Sequence, residues 1–296
     1  MRDNSEPLGV RRSRRPIAVV GATGRQGKAT VRALRSANAP VRALTRRTDS
    51  DMARALGELG AELVAADIDD PESLRTAFTG VDAIFAMTTT GYDQRSDLEV
   101  RHGHAIADAA VAASVPHLVY SSVGGAERHT GIPHFDSKRD VEEYLVARGL
   151  PTTVVRPAFF MDNFAEFMTP TVQDGTLVVR IPLPPGIPLQ MIAVEDVGAV
   201  VAAAALDPDR IAGGSIEIAG DELTGEQVAE AYQRRYGIPA RYEALPISVL
   251  DGNVDQRAMF EWFAQLPAFQ ADFAGTRALA PGTKTFKQWL ATRPDL

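Results

Sequence analysis

Ile17-Ala18-Val19-Val20-Gly21-Ala22-Thr23-Gly24-Arg25-Gln26-Gly27 is the stretch on which the fold turns. Four apolar residues read as a short strand. Three glycines spaced three apart follow, and then a helical pattern from Lys28 to Ala37. Glycines at that spacing let the backbone turn sharply, approach a pyrophosphate and bring the next helix close to the sheet. The first N–H groups of such a helix lack intrahelical partners and point at the phosphates. Residues Gly21, Ala22, Thr23, Gly24, Arg25, Gln26 and Gly27 are therefore the expected phosphate cradle of a dinucleotide site.

The same rhythm continues outward. Strands are expected at Val41–Leu44, Glu62–Ala65, Ala83–Met87, His117–Tyr120 and Thr152–Arg156. Helices are expected between them, at Met52–Leu59, from Pro71, at Ser96–Ala113 and at Phe135–Ala147. Asp70 is a natural N-cap and Pro71 a natural first helical residue. Strands alternating with helices predict an α/β fold of the Rossmann type, a doubly wound parallel sheet covered on both faces. The cofactor then lies at the carboxyl ends of the strands, where the strand order reverses.

The second strand tells which dinucleotide. An NAD site places an acid about 20 residues past the glycines, whereas an NADP site places arginine there for the 2′-phosphate. Here the strand ends in Thr45-Arg46-Arg47. A guanidinium grips phosphate through paired hydrogen bonds, so Arg46, with Arg47 beside it, points to NADP(H).

After residue 157 the rhythm breaks. Aromatic residues and Met crowd 159–168, and a loop with Pro182, Pro184, Pro185 and Pro188 follows. A strand at Gln190–Val194, a helix at Asp196–Leu206, a strand at Ser215–Ile218 and a capping-box helix start at Thr224-Gly225-Glu226-Gln227 come next. The division expected is a disordered basic tail over 1–15, an NADP-binding Rossmann domain over 16–157, and a smaller C-terminal α/β substrate lobe over 158–296, interleaved with late sheet strands. The late aromatics serve core packing first and line a cleft second.

Composition narrows the function. The 296 residues are 45% hydrophobic, enough for a large core. A formal net charge of −7 argues against nucleic-acid affinity. The absence of cysteine removes disulfides, thiolate catalysis and cysteine-ligated zinc. His102 and His104 lie two apart on a helix and face different ways, and no His-Glu-x-x-His run exists, so no metal site is expected. No apolar run is long enough to span a membrane. The basic tail leads straight into the first strand rather than into an export signal, so the expected location is cytoplasmic.

Several pieces together resemble the NmrA-like family, an atypical branch of the short-chain dehydrogenase/reductase superfamily. They are Gly-Ala-Thr-Gly-Arg-Gln-Gly at 21–27, Asp67-Ile68-Asp69-Asp70, Pro133-His134-Phe135-Asp136-Ser137-Lys138, Val141-Glu142-Glu143-Tyr144, Arg156-Pro157-Ala158-Phe159-Phe160-Met161-Asp162-Asn163 and Phe286-Lys287-Gln288-Trp289-Leu290. They are most similar to the redox-sensor-like members that bind NADP(H). The resemblance implies that Asp67 and Ile68 flank the adenine. It implies that Thr88, Thr89 and Thr90 touch the ribose and phosphates. Lys138 would bind the nicotinamide ribose, and Phe160, Met161, Asp162 and Asn163 would close over the nicotinamide. It also implies a homodimer as one assembly.

The superfamily's Tyr-x-x-x-Lys pair stands here as His134 and Lys138. Residues four apart share a helix face. A histidine gives and takes protons near neutral pH, but it is not a lysine-activated phenol. Two readings follow. One is an NADPH-dependent oxidoreductase acting on a quinone or a small conjugated carbonyl compound. His134 would supply the proton, Lys138 would position the nicotinamide, and Ser121 or Ser122 would hydrogen-bond the substrate oxygen. The other is a non-catalytic NADPH/NADP+ sensor that regulates a protein partner. They differ in whether the cleft beside the nicotinamide is open or filled by Phe159, Phe160 and Trp262.

Overall fold

A computed structural model describes residues 15–89, 96–211 and 214–294. Thr90 and all of the expected tail except Arg15 lie outside the described residues.

The first half runs as β1 (Ile17–Val19), α1 (Arg25–Ser36), β2 (Val41–Thr45), α2 (Asp51–Glu58), β3 (Glu62–Ala65), α3 (Pro71–Phe78), β4 (Ala83–Met87), α4 (Ser96–Ala112), β5 (Leu118–Ser121), α5 (Pro133–Ala147) and β6 (Thr152–Pro157). Then come β7 (Phe159–Phe160), β8 (Thr171–Gln173), β9 (Thr176–Ile181), β10 (Leu189–Ile192), α6 (Val194–Leu206), β11 (Ser215–Ile218), β12 (Asp221–Leu223), α7 (Gly225–Tyr236), β13 (Ala240–Ala244), α8 (Val254–Phe263), α9 (Phe273–Leu279) and α10 (Phe286–Ala291).

Seven strands pair in parallel in the order β11-β6-β5-β4-β1-β2-β3. The period-two alternation of a strand sorts its side chains between two cores. Ile17 and Val19 pack with Val31 and Leu34 of α1 and Val197 and Val200 of α6. Ala18 and Val20 pack on the other face, with Phe78, Ile106 and Val141 of α3, α4 and α5. The order reverses between β1 and β4, which opens the crevice of a doubly wound fold beyond their carboxyl ends.

Element starts have local causes. Asp70 caps α3 by accepting from Glu72 N and Ser73 N. Thr224 and Gln227 close a full capping box on α7. Among the helices that start earlier than the sequence predicts, two do so where distant carboxylates take over capping. Asp162 accepts from Val194 N at 2.8 Å, so α6 begins two residues before Asp196. Asp255 accepts from His134 N at 2.9 Å, so α5 begins at Pro133 rather than Phe135.

The smaller lobe holds two three-stranded sheets, β12-β10-β7 and β13-β9-β8. Its core gathers Phe159, Phe164, Phe260, Phe263, Phe286 and Trp289. β11 and α6 belong to the large sheet and its cover, although they follow the smaller lobe's first strands in sequence. Among the described residues, no helix is long and apolar enough to cross a membrane.

Candidate functional site

The site grows from the carboxyl ends of β1, β4 and β5. Gly21 leaves β1 at φ +63°, a backbone conformation that favours glycine. Gly24 stands at the N-cap of α1 with no side-chain cap, so the first N–H groups of that helix face outward unpartnered by a side chain. A Cβ at Gly27 would sit 2.2 Å from the Gly21 carbonyl oxygen and 2.7 Å from Ala22 Cα. Only glycine lets α1 approach the turn this closely. A bare helix N-terminus beside a glycine cradle suits a pyrophosphate by charge and by shape. Gln26 is also tied down, its Oε1 accepting from Ser121 Oγ at 2.6 Å across to β5.

Arg46 and Arg47 stand exposed just past the end of β2. Among the described residues neither guanidinium has an ion-pair partner, so both remain available to an anion at the strand end. Asp67 and Ile68 follow β3. Asp67 accepts from Asp69 N in a tight turn, and Ile68 packs partly against the core.

Beside the crevice lies a buried polar cluster. Lys138 of α5 donates from Nζ to Glu99 Oε1 at 2.8 Å and to the Thr88 carbonyl at 3.0 Å. Glu99 of α4 is wholly buried. It also accepts from Thr88 Oγ1 at 3.1 Å and from Ser137 Oγ at 2.5 Å. Burial alone would raise the Glu99 carboxyl. The Lys138 charge and these hydrogen bonds override it and hold the group below its ordinary range. Lys138 mirrors this. Burial would lower it, but the Glu99 charge keeps the ammonium above its ordinary value. Tyr120 OH lies 2.7 Å from Thr88 Oγ1, and burial pushes that phenol up to about 12. Lys138 has three donors. Two are committed here, which leaves one for a ligand.

His134, one turn before Lys138 on α5, has a partner that sequence reading missed. Its Nδ1 lies 2.8 Å from the Asp255 carboxylate, which comes from the first turn of α8 in the smaller lobe. An ionised carboxylate only accepts, so Nδ1 carries the hydrogen. Burial pushes Asp255 up, but the hydrogen bonds and charge of His134 bring it below its ordinary value. The neutral ring is thereby fixed as one tautomer, with the hydrogen on Nδ1 and the lone pair on Nε2.

The two serines part company. Ser121 spends its hydroxyl on Gln26. Ser122 Oγ is buried with no hydrogen-bond partner among the described residues and lines the cleft. Buried polar atoms left unpaired are uncommon and call for a partner.

The closing segment also divides. Phe160 and Asn163 line the cleft. The Met161 side chain is fully buried in the smaller lobe's core, and the Asp162 carboxylate caps α6. These two turn away from the cleft because the short strand β7 and the 3-10 turn after it serve packing. Thr88 and Thr89 sit at the cleft, with the Thr88 hydroxyl committed to Glu99 and Tyr120.

Between these groups and the smaller lobe lies a cleft of about 700 Å³. Lys138, His134 and Ser122 line its sheet side; Phe160, Met259 and Phe260 are among its apolar walls. It is not filled by aromatic rings. Phe159, mostly buried in the core, and Phe160 line it and leave its volume open, and Trp262 packs edge-on against Phe135 and Phe269. A volume of this size takes a nicotinamide and a small aromatic molecule together.

Comparison with known proteins places the chain. It belongs to the NmrA-like family, whose model matches residues 13–290. It is 31% identical to an NAD(P)H azoreductase of Xenophilus azovorans, over 78% of this chain and 77% of that protein. The structure of NmrA, a negative transcriptional regulator, in complex with NADP superposes with a TM-score of 0.81 at 25% identity, covering 95% of both chains. An NADPH-dependent quinone oxidoreductase from Escherichia coli shares the fold with a TM-score of 0.77 at 22% identity, covering 93% of this chain and 98% of that one.

Proposed function

We propose, from that family membership and the geometry of the cleft, that this protein binds NADP(H) and reduces quinones or small conjugated carbonyl compounds. The observation that carries the reading is the open cleft, with Lys138, His134 and the unpartnered Ser122 hydroxyl on its sheet side and Asp255 reaching His134 from the smaller lobe. The residues present fit the cofactor. The glycine cradle and the bare N-terminus of α1 would hold the pyrophosphate, Arg46 and Arg47 the 2′-phosphate, and Lys138 the nicotinamide ribose.

When bound, the reduced nicotinamide supplies hydride. The chain's own residues do the rest. Ser122 Oγ donates a hydrogen bond to the acceptor oxygen, where negative charge grows during reduction. His134, held by Asp255 at Nδ1, delivers a proton from Nε2 to that oxygen, and Asp255 stabilises the imidazolium before transfer. Conjugated acceptors delocalise the added charge, so a histidine suffices where a simple ketone would need a stronger acid. The apolar walls exclude water from the reacting faces.

The test is NADPH binding followed in the same sample by loss of nicotinamide absorbance on adding simple quinones. Turnover that His134→Ala slows by about 10²-fold, the lower end of general-acid effects, supports the reading. Tight NADPH binding without turnover over a broad acceptor panel favours the sensor reading. One observation speaks for that alternative. Arg25 in the glycine turn pairs at 2.8 Å with Glu166 of the smaller lobe. A bound pyrophosphate would compete with Glu166 for Arg25, so cofactor presence would bias how the lobes are tied together.

A further inference from the structure

One charged side chain in the cleft takes no part in the chemistry above. Among the described residues lining the cleft, the charged or titratable ones are Glu99, His134, Lys138, Asp255 and Arg180. The first four form two pairs, Glu99 with Lys138 and His134 with Asp255. Arg180 comes from β9, on the smaller-lobe side, and its only carboxylate partner among the described residues is Glu243.

That carboxylate is shared. β13 pairs with β9 in parallel and sets Glu243 opposite Arg180. Arg241, two residues before Glu243, lies on the same face of the strand and also bonds it, at 2.8 Å. Two guanidiniums against one carboxylate leave one positive charge in excess. Arg180 is also underused. It donates from Nε and one terminal nitrogen to Glu243, and from the other terminal nitrogen to Thr171 Oγ1 at 2.9 Å. A guanidinium has five N–H groups, so two are left without a partner among the described residues. Its side chain is about one quarter exposed, fixed in direction by Glu243 and Thr171. Leu245, Val249 and Leu250 line the cleft beyond β9 as apolar neighbours. A fixed cation with spare donors in a wall that is mostly apolar, with Asn163, Asp255 and Gln256 as its other polar members, is a recognition element for an oxyanion carried on an apolar body.

Resting on the reductase reading, we propose that Arg180 anchors an anionic substituent, a carboxylate or sulfonate, on an aromatic acceptor whose reducible group lies against His134 and Ser122. The acceptor's rings span the apolar wall between the two polar ends. Arg180 is then a specificity-determining residue, which selects acidic aromatic acceptors over neutral ones. It makes no contact with the reacting atoms.

The test uses redox-inert probes, so that binding is read apart from turnover. A naphthalene sulfonate and its neutral sulfonamide are titrated against the NADP+-loaded full chain by calorimetry. The sulfonate is expected to bind about 10- to 100-fold tighter, the range of one charge-assisted hydrogen-bonded contact. Arg180→Gln is expected to abolish that preference, and Arg180→Lys to keep part of it, because it restores the charge without the planar fork. Cofactor affinity of each variant checks that it is folded. Equal binding of the two probes by the unaltered protein, no binding of either, or an unchanged preference in Arg180→Gln would each overturn the anchor. Menadione reduction is measured alongside. Turnover without probe discrimination removes the anchor and keeps the reductase. Discrimination without turnover keeps the anchor and removes the reductase.

Discussion

Replacing Glu99 by glutamine separates the energetic role of the buried pair from its chemical role. Glu99 is wholly buried and accepts from Lys138, Thr88 and Ser137. At 2.8 Å and an effective dielectric of about 20, the attraction to Lys138 is about 6 kcal/mol. An amide in place of the carboxylate would keep one acceptor but remove the charge, leaving the Lys138 ammonium desolvated and uncompensated. Breaking a buried pair from one side costs about 3–5 kcal/mol, a large share of a typical folding stability of about 5–15 kcal/mol. The assay is urea unfolding of the cofactor-free protein as a double-mutant cycle. Glu99→Gln is expected to lose about 3–5 kcal/mol. Adding Lys138→Met should recover part of that loss, because no unpaired charge remains. The pH dependence has a defined sign. Glu99 sits below its ordinary value of 4.5, so its contribution is present above that value and fades as pH falls through the lowered one. Lys138 sits above its ordinary value of 10.5, so its contribution is full below that value and fades as pH rises through the raised one. The gap between the unaltered protein and Glu99→Gln should therefore narrow in acid. Additive single-mutant losses, within about 0.5 kcal/mol, would refute the coupling.

Asp255→Asn should lower quinone turnover by about 10²-fold with little change in NADPH affinity, because it frees the His134 tautomer rather than the cofactor site; steady-state kinetics beside cofactor titration reads this, and an unchanged kcat would remove Asp255 from the mechanism. Arg46→Ala should erase about 1.5–3 kcal/mol of preference for NADPH over NADH, the worth of a hydrogen bond to a charged group, and equal preferences before and after would assign the 2′-phosphate elsewhere. Gly27→Ala should cost about 1–3 kcal/mol of stability, since its Cβ would meet backbone atoms that have no side-chain freedom to yield; chemical denaturation shows it, and cofactor affinity should fall with it.

The parts of this molecule that can be read in the sequence are those whose determinants lie close together along the chain. The glycine turn, the Asp70-Pro71 helix start and the Thr224–Gln227 capping box each occupy a few residues, and each forms where its residues predict. Residues 176–181 do not stand out as a strand in sequence, although Leu177, Val178 and Val179 suit one. Their neighbour β13 arrives only after α6, β11 and α7, and the adjoining prolines read as loop. Glu99 is hidden for a similar reason. On an Ala-rich helix an isolated glutamate reads as a solvated residue, and only tertiary packing brings Thr88, Ser137 and Lys138 to it. One signal is available: a lysine held at a buried site needs a counter-charge. Asp255 carries no such signal, since in sequence it is simply an acid in the first turn of a helix, where acids are common anyway.

Asp255 also explains why the break in rhythm at residue 157 is not a break in the site. His134 sits on the helix of the sheet domain, but the carboxylate that sets its tautomer comes from the smaller lobe. Traffic runs the other way too. α6 follows the smaller lobe's first strands, packs on α1 in the core of the large sheet, and starts on a carboxylate from the 3-10 turn after β7. In the proposed function the sheet domain supplies the cradle, whose demands are fixed by the shape of a dinucleotide. In the proposed reaction the smaller lobe supplies the wall and the orienting acid, whose demands are set by the acceptor. A change of acceptor can therefore be accommodated in α8, β9 and β13 without disturbing the cradle, but only while the His134–Asp255 contact between the lobes is kept.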